Sequence, residues 1–257
     1  MSLLTGKTAL ITGATSGIGK SCAYTFASEG ANLILAARRI ELLEKIKSDI
    51  EKEYSVKVIL IQLDVRKRKD VEHAIAALPE EWKAIDILIN NAGLARGLNK
   101  INEGNIEHWE EMIDTNVKGL LYVTRMVTPL MVSRGSGHIV NIGSIAGHEV
   151  YPSGNVYCAS KFAVNALTQG MRMDLVDKNI KVTTIDPGMV LTEFSKVRFS
   201  GDGEKADKVY EGMHPLSPYD IADAVLFCVS RKANVNINEI IIMPTAQASS
   251  SIKYVKK

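Results

Sequence analysis

The stretch "TALITGATSGIG" at residues 8–19 decides how the rest of this chain is read. Five residues rich in apolar and β-branched side chains run into a loop with glycines at 13, 17 and 19, and sequence of helical period follows. In an open α/β sheet such a junction is where a dinucleotide lies. Glycine lets the backbone approach a pyrophosphate, and the amino terminus of the following helix favours its negative charge. The spacing is GxxxGxG rather than GxGxxG, and glycines between a strand and a helix are also ordinary turn residues, so the loop alone does not carry the assignment.

Working outward, short apolar runs alternate with longer helical stretches. "TALIT" (8–12), "LILAA" (33–37), "KVILIQL" (57–63), "IDILI" (85–89), "HIVNI" (138–142), "KVTTI" (181–185) and "EIIIM" (239–243) predict seven strands, apolar on both faces as a covered parallel sheet requires. Helices are expected near 17–29, 40–53, 68–78, 106–131, 155–178 and 218–230, with Pro79, Gly135, Gly137 and "DPG" (186–188) as punctuation. That alternation implies right-handed crossovers and an α/β, doubly wound, seven-stranded parallel sheet with helices on both faces. No repeat or linker divides the chain, so residues 1–257 are expected to form one domain. The polar stretch 246–257, "AQASSSIKYVKK", is an arm that either frays or docks on a neighbour.

Composition narrows the function. With 31 basic against 29 acidic residues in 257, there is no overall field to attract nucleic acid or an anionic membrane, and the "RKRK" run at 66–69 reads as a solvated helix entrance. Cys22, Cys158 and Cys228 are scattered, without CxxC spacing, which argues for a reducing compartment and for thiols that fill the core. No run approaches the roughly 18–20 apolar residues that span a bilayer, and "MSLLTGK" is not a charged leader followed by an apolar segment. A cytoplasmic protein is the expectation. None of the five histidines has metal-ligand spacing such as HExxH, so no catalytic metal is implied. His148 follows Ser144 by four residues, but "GSIAG" is not the GxSxG elbow of a serine hydrolase.

Two further features point to chemistry. After the second strand, where an acidic residue would hold a ribose 2′-hydroxyl, "LILAARR" places Arg38 and Arg39 instead. A guanidinium bonds a 2′-phosphate that a carboxylate would repel, so NADP is expected over NAD. In "NVYCASK" (155–161), Tyr157 precedes Lys161 by four residues, which stacks phenol and ammonium on one helix face. A free phenol, with a pKa of roughly 10, is a poor base, and a neighbouring ammonium favours its ionised form. By this reasoning Lys161 depresses the pKa of Tyr157.

The glycine loop, "NNAG" (90–93), Asn116 in "DTNVKG", Ser144 in "NIGSIAG", "YCASK" (157–161) and "DPGMVLT" (186–192) together make the chain resemble the short-chain dehydrogenase/reductase family, from about residue 6 to the last strand. The resemblance implies a Rossmann fold and a catalytic set of Asn116, Ser144, Tyr157 and Lys161. Ser144 would donate to the substrate oxygen, Lys161 would also bond the ribose, and Asn116 would fix a water in a proton relay. It further implies cofactor contacts from Gly13, Thr15, Ser16, Gly17, Ile18 and Gly19, from Arg38 and Arg39, and from Asp64 with Val65 beside the adenine. Asn91, Ala92 and Gly93 would flank the adenosine ribose; Pro187, Gly188, Val190 and Thr192 would orient the nicotinamide carboxamide. "TEFSKVRFSGD" (192–202) and "GHEVYPSGNVY" are similar to the branch of NADP-dependent 3-hydroxy acid dehydrogenases that act on serine and allo-threonine. In that reading Arg198 holds a substrate carboxylate, Ser144, Tyr151, Asn155 and Phe194 line the pocket with Pro152 and Met189, and helices 106–131 and 155–178 build a homotetramer. A reductase of another carbonyl class and a non-catalytic nucleotide sensor are the competing readings; an intact catalytic set weighs against the sensor.

Overall fold

The structure, a computed structural model, describes residues 2–255; Met1, Lys256 and Lys257, which the expected domain and arm include, lie outside the described residues. Seven strands form one sheet: β1 (Thr8–Thr12), β2 (Asn32–Ala37), β3 (Val58–Gln62), β4 (Ile87–Asn90), β5 (Gly137–Ile142), β6 (Ile180–Pro187) and β7 (Glu239–Ile242). All pairings are parallel and the order is β3-β2-β1-β4-β5-β6-β7. The chain therefore reverses direction of travel across the sheet between β1 and β4, which opens a crevice beyond their carboxyl ends.

Side-chain alternation along the strands divides the core in two. Ala9 and Ile11, Leu33 and Leu35, and Ile87 and Ile89 pack with α1 (Gly17–Ser28), α2 (Ile40–Glu53) and α9 (Pro218–Val229). Leu10, Ile34, Leu88 and Ile139 face the other way, toward α3 (Arg68–Ala76), α5 (Leu120–Arg134) and α6 (Asn155–Leu175). Both faces are covered, as the apolar strands require. The exception is β7, an edge strand on which Ile241 is 47% exposed, so its unbroken apolar run does not reflect burial on both sides. Cys22, Cys158 and Cys228 are all buried free thiols. Among the described residues no helix is long and apolar enough to cross a membrane.

The expected helix at 106–131 is not continuous. It divides into α4 (Ile106–Ile113), a π-helical stretch Asp114–Gly119 and α5. An extra residue per turn is accommodated where Gly119 meets Val65, whose Cγ2 would lie 2.7 Å from a Cβ at 119. Two short helices, α7 (Phe194–Arg198) and α8 (Gly203–Lys208), occupy a stretch in which helical period was not evident. A buried polar chain ties the sheet to α5 and α6: Asn90 Nδ2 donates to Thr124 Oγ1 and Asn141 Oδ1, both at 2.9 Å, and Asn141 Nδ2 donates to Thr168 Oγ1 at 2.9 Å.

His138 lies buried on β5 with Nε2 2.7 Å from Thr183 Oγ1. Burial, aided by the charge of Lys181, pushes its pKa down to about 3. The native state thus binds fewer protons than the unfolded chain between that value and about 6.5, so stability is lost as pH falls through the window. His138→Gln is expected to flatten the pH dependence of urea-derived stability between pH 4 and 6 by up to about 1.4 kcal/mol per pH unit.

Candidate active site

A cleft of about 490 Å³ opens along the carboxyl ends of the strands, with the glycine loop at one end and Tyr157 and Lys161 at the other. The loop is built for close approach. Gly13 and Gly17 have φ of +66° and +52°, values that favour glycine, and α1 begins at Gly17 with its amino terminus toward the cleft. Asn91 holds the loop in place: Nδ2 donates to the carbonyls of Thr12 (2.9 Å) and Gly13 (3.2 Å), and the backbone N–H groups of Asn91 and Ala92 both donate to Thr12 Oγ1 at 3.0 Å. Gly19 is required for packing, since a Cβ there would come within 2.4 Å of Asn91 Nδ2 and 2.6 Å of Gly13 O.

On the floor, Tyr157 and Lys161 share a face of α6 and both are buried. Lys161 Nζ donates to Ile142 O at 2.9 Å and stands 6.0 Å from the Tyr157 ring centroid. Burial is the largest influence on the Tyr157 pKa and raises it, with the charge of Arg198 and a hydrogen bond with Ser144 opposing. Lys161 is itself desolvated, its pKa drawn down to about 8, and its ammonium is turned to a strand carbonyl, which weakens the lowering expected from its charge. Ser144 stands at the end of β5, with its N–H bonded to Asp186 Oδ1 at 3.0 Å and its Oγ accepting from Ala146 N at 3.1 Å.

The order of glycine loop, serine, tyrosine and lysine along one cleft is matched by sequence comparison: the family model described as short chain dehydrogenase covers residues 7–202. The chain belongs to the short chain dehydrogenase family. It is 46% identical over 258 residues to the NADP-dependent 3-hydroxy acid dehydrogenase of Schizosaccharomyces pombe, covering 100% of both chains. To the NADP-dependent 3-hydroxy acid dehydrogenase YdfG of Escherichia coli K12 it is 45% identical over 244 residues, 95% of this chain and 97% of that one. A solved closed form of serine dehydrogenase complexed with NADP+ superposes with a TM-score of 0.90 at 43% identity, covering 97% of this chain and 100% of that chain.

Asn116 is buried beside the site: a Cβ at Gly93 would lie 3.3 Å from its Oδ1 and 3.7 Å from Lys161 Nζ. Its Oδ1 accepts from Leu94 N and its Nδ2 donates to Leu94 O, each at 2.8 Å, and Nδ2 also donates to Ser160 Oγ at 3.0 Å. The side chain is buried and outside the cleft wall, so it clamps the loop after β4 to the π-helical stretch and to α6. Asn155 stands beside Tyr151 and Arg198. It lines a separate space of about 10 Å³ behind Tyr151, Tyr157 and Arg198, because it opens α6 on the side of Asn99, to whose carbonyl Nδ2 donates at 3.4 Å. Tyr151, Pro152, Met189 and Phe194 do line the cleft.

Arg198 enters the cleft from the end of α7. Its guanidinium carbon lies 5.0 Å from the Tyr157 ring centroid, 5.2 Å from that of Phe194 and 5.9 Å from that of Tyr151. One Nη donates to Tyr151 Oη at 2.9 Å, while the buried Nε has no hydrogen-bond partner among the described residues.

Of the expected cofactor contacts, Gly13, Ser16, Gly17, Ile18, Asn91, Ala92 and Gly93 line the cleft, as do Pro187, Gly188, Val190 and Thr192. Thr15, Gly19, Arg38, Arg39, Asp64 and Val65 lie outside its wall. Arg38 and Arg39 are exposed at the end of β2; Arg39 Nη2 donates to Thr15 Oγ1 at 3.1 Å and pairs loosely with Glu193 at 3.6 Å. Asp64 is neither a free acceptor nor a simple helix cap. Arg66 forks onto its carboxylate at 2.6 to 3.1 Å and holds it below the usual carboxylate range, so the first residue of the "RKRK" run is an ion-pair partner rather than a solvated charge.

Several cleft residues gave no sequence signal. The arm at the carboxyl end folds back rather than fraying or reaching outward: Gln247 Oε1 accepts from Met189 N at 2.8 Å, Ser250 N donates to Glu149 Oε2 at 2.7 Å, and Lys253 Nζ donates to Val209 O at 2.7 Å. Gln247, Ser250 and Lys253 thereby join the cleft wall. His148, Asp186 and Glu239, far apart in sequence, converge with Nε2 3.3 Å and 3.4 Å from the two carboxylates. Asp186 is fully buried, and burial pushes its pKa up.

Asn91→Ala strips two loop carbonyls of their donor. The unfolding free energy from chemical denaturation is expected to fall by about 1–3 kcal/mol.

Proposed function

We propose that this protein is an NADP-dependent dehydrogenase that interconverts small 3-hydroxy acids of the serine, allo-threonine, 3-hydroxybutyrate and 3-hydroxyisobutyrate type with their oxo forms. The observation that carries the substrate class is the Arg198 guanidinium, sandwiched among three rings beside Tyr157 with an unused Nε–H. A planar cation held in a desolvated wall suits a carboxylate, and its distance from Tyr157 matches the short reach between a carboxylate and a hydroxyl on the third carbon. The names of the relatives support the same reading.

The chain's residues fit the cofactor. Gly13 and Gly17 supply a backbone cradle, α1 its amino terminus, and the exposed Arg39 is held at the loop by Thr15, where its weak pair with Glu193 yields to a 2′-phosphate. NADP, when bound, supplies the hydride acceptor or donor and, oxidised, a positive ring that favours phenolate. Everything else falls to protein groups. In oxidation Tyr157 must first lose its proton, and as phenolate its Oη takes the proton of the substrate hydroxyl as the carbinol carbon gives up hydride. In reduction the neutral phenol gives its proton to the carbonyl oxygen and is left as phenolate to be reprotonated. Burial keeps Tyr157 protonated, which suits the reductive direction, while the bond from Ser144 and the charge of Arg198 oppose that shift. Ser144 orients the reacting oxygen, and Lys161, buried at Gly93, offers its ammonium to the ribose. We also infer a homotetramer through α5 and α6, supported by the exposed apolar residues Leu121, Phe162 and Met173 on those helices.

Tyr157→Phe is expected to lower kcat by roughly 10²–10⁴ while NADPH still binds, as read by its fluorescence; near-parental turnover would overturn the proton-transfer role. Turnover with NADP should exceed that with NAD. Arg198→Gln should raise KM for L-serine or 3-hydroxybutyrate about tenfold to a hundredfold, the loss of one charge-assisted contact. Sedimentation equilibrium should give four times the chain mass.

A further inference from the structure

Arg96 lies in the loop after β4, outside the cleft wall and outside the motifs that mark the family. Its guanidinium nevertheless makes three hydrogen bonds. Nε donates to Glu111 Oε2 at 2.7 Å, Nη2 donates to Glu111 Oε1 at 3.3 Å, and Nη1 donates to the backbone carbonyl of Val197 at 2.8 Å. Val197 precedes Arg198, and the backbone repeats the connection, because Gly97 N donates to Arg198 O at 2.9 Å.

The helix that carries Arg198 is short: with five residues, α7 is below the length of an autonomous helix. The N–H groups of Phe199, Gly201 and Ser200 cap the carbonyls of Ser195, Lys196 and Val197, Arg96 adds a second donor to Val197 O, and Gly97 donates to Arg198 O, so the end of the helix is tied to the loop after β4. A cation at a helix carboxyl end is also favoured by the dipole. The anchor on the other side is firm: Glu111 sits on α4, and its Oε1 accepts from Arg66 Nη1 at 3.2 Å, while Arg66 grips Asp64 at the end of β3. Glu111 is held below the usual carboxylate range by Arg96, consistent with a carboxylate that stays charged in place. These pairs are mostly shielded from solvent, with side-chain exposures of 15% to 32%, so they are screened less than surface pairs.

We propose that Arg96 is a positioning residue that seats Arg198 over Tyr157 and thereby sets the selectivity of the cleft for anionic substrates. This rests on the carboxylate role assigned to Arg198 above. Releasing Val197 O from Arg96 would let the end of α7 turn, and the Arg198 head group would leave the three rings that hold it. Arg96 donates to none of Ser144, Tyr157 and Lys161, so its loss reaches the reacting centre only through Arg198.

The test compares a hydroxy acid with its uncharged form, L-serine and L-serine methyl ester, on the intact protein with NADP. Arg96→Gln is expected to raise KM for serine about tenfold, with the methyl-ester KM and NADP affinity within about twofold of the parent; any change in kcat caused by moving the Arg198 charge from beside Tyr157 should be equal for serine and the ester. Glu111→Gln, which leaves Arg96 in place but loosens its anchor, should shift the serine KM in the same direction by a few-fold and serves if Arg96→Gln does not fold. Arg198→Gln is measured in parallel, and the double variant should be no worse than Arg198→Gln alone, because the two act on one contact. An Arg198→Gln variant with unchanged serine KM would remove the carboxylate reading itself. An effect of Arg198→Gln without one from Arg96→Gln or Glu111→Gln would overturn the positioning role alone. Equal losses on serine and the ester would assign Arg96 a general structural role and overturn the proposal as well.

Discussion

The ammonium of Lys161, only 6% exposed beneath the carboxyl end of β5, constrains everything around it. A buried cation needs a fixed acceptor, and the Ile142 carbonyl provides one only because α6 lies against the end of that strand. Small residues make the approach possible. A Cβ at Gly147 would meet Lys161 O at 2.8 Å, and one at Gly93 would crowd Asn116 Oδ1 at 3.3 Å. The same low-dielectric setting reaches Tyr157 one turn earlier and Asp186 across β6, pushing both toward their protonated forms. Burial thus shifts the tyrosine, the lysine and the aspartate, each away from its charged form.

Much of this was legible in the chain because it is local. Seven apolar runs became seven strands within a residue or two, since β-branched side chains and strand length leave a buried parallel strand few alternatives. The glycine loop was readable from Gly13, Gly17 and Gly19, whose identities are fixed by positive φ or by contact with Asn91. Helical spacing placed Tyr157 beside Lys161, and the family motifs around them gave the pair its catalytic reading.

What could not be read depends on partners distant in sequence. The period of 106–131 gave a continuous helix because nothing local reports that Asn116 reaches back to Leu94 and that Gly119 packs on Val65. Spacing brought Tyr157 and Lys161 together but said nothing of how far each is desolvated, and desolvation decides the sign of the tyrosine shift. His148, Asp186 and Glu239 converge from three separate segments. Arg66 read as a solvated charge and Arg96 carried no signal, because Glu111, which binds both, lies on a separate helix.

The return of the carboxyl-terminal arm gives the cleft a wall made partly of a short peripheral hairpin. Gln247 is tucked in against Met189, while Ile252 and Tyr254, on the far side of the same small hairpin, stand mostly in solvent. A protease that nicked this hairpin would leave the sheet and its helices intact. The injury would register as altered substrate retention in a protein whose melting behaviour was nearly normal, so enzyme preparations of equal apparent purity could differ in kinetics through a few missing residues.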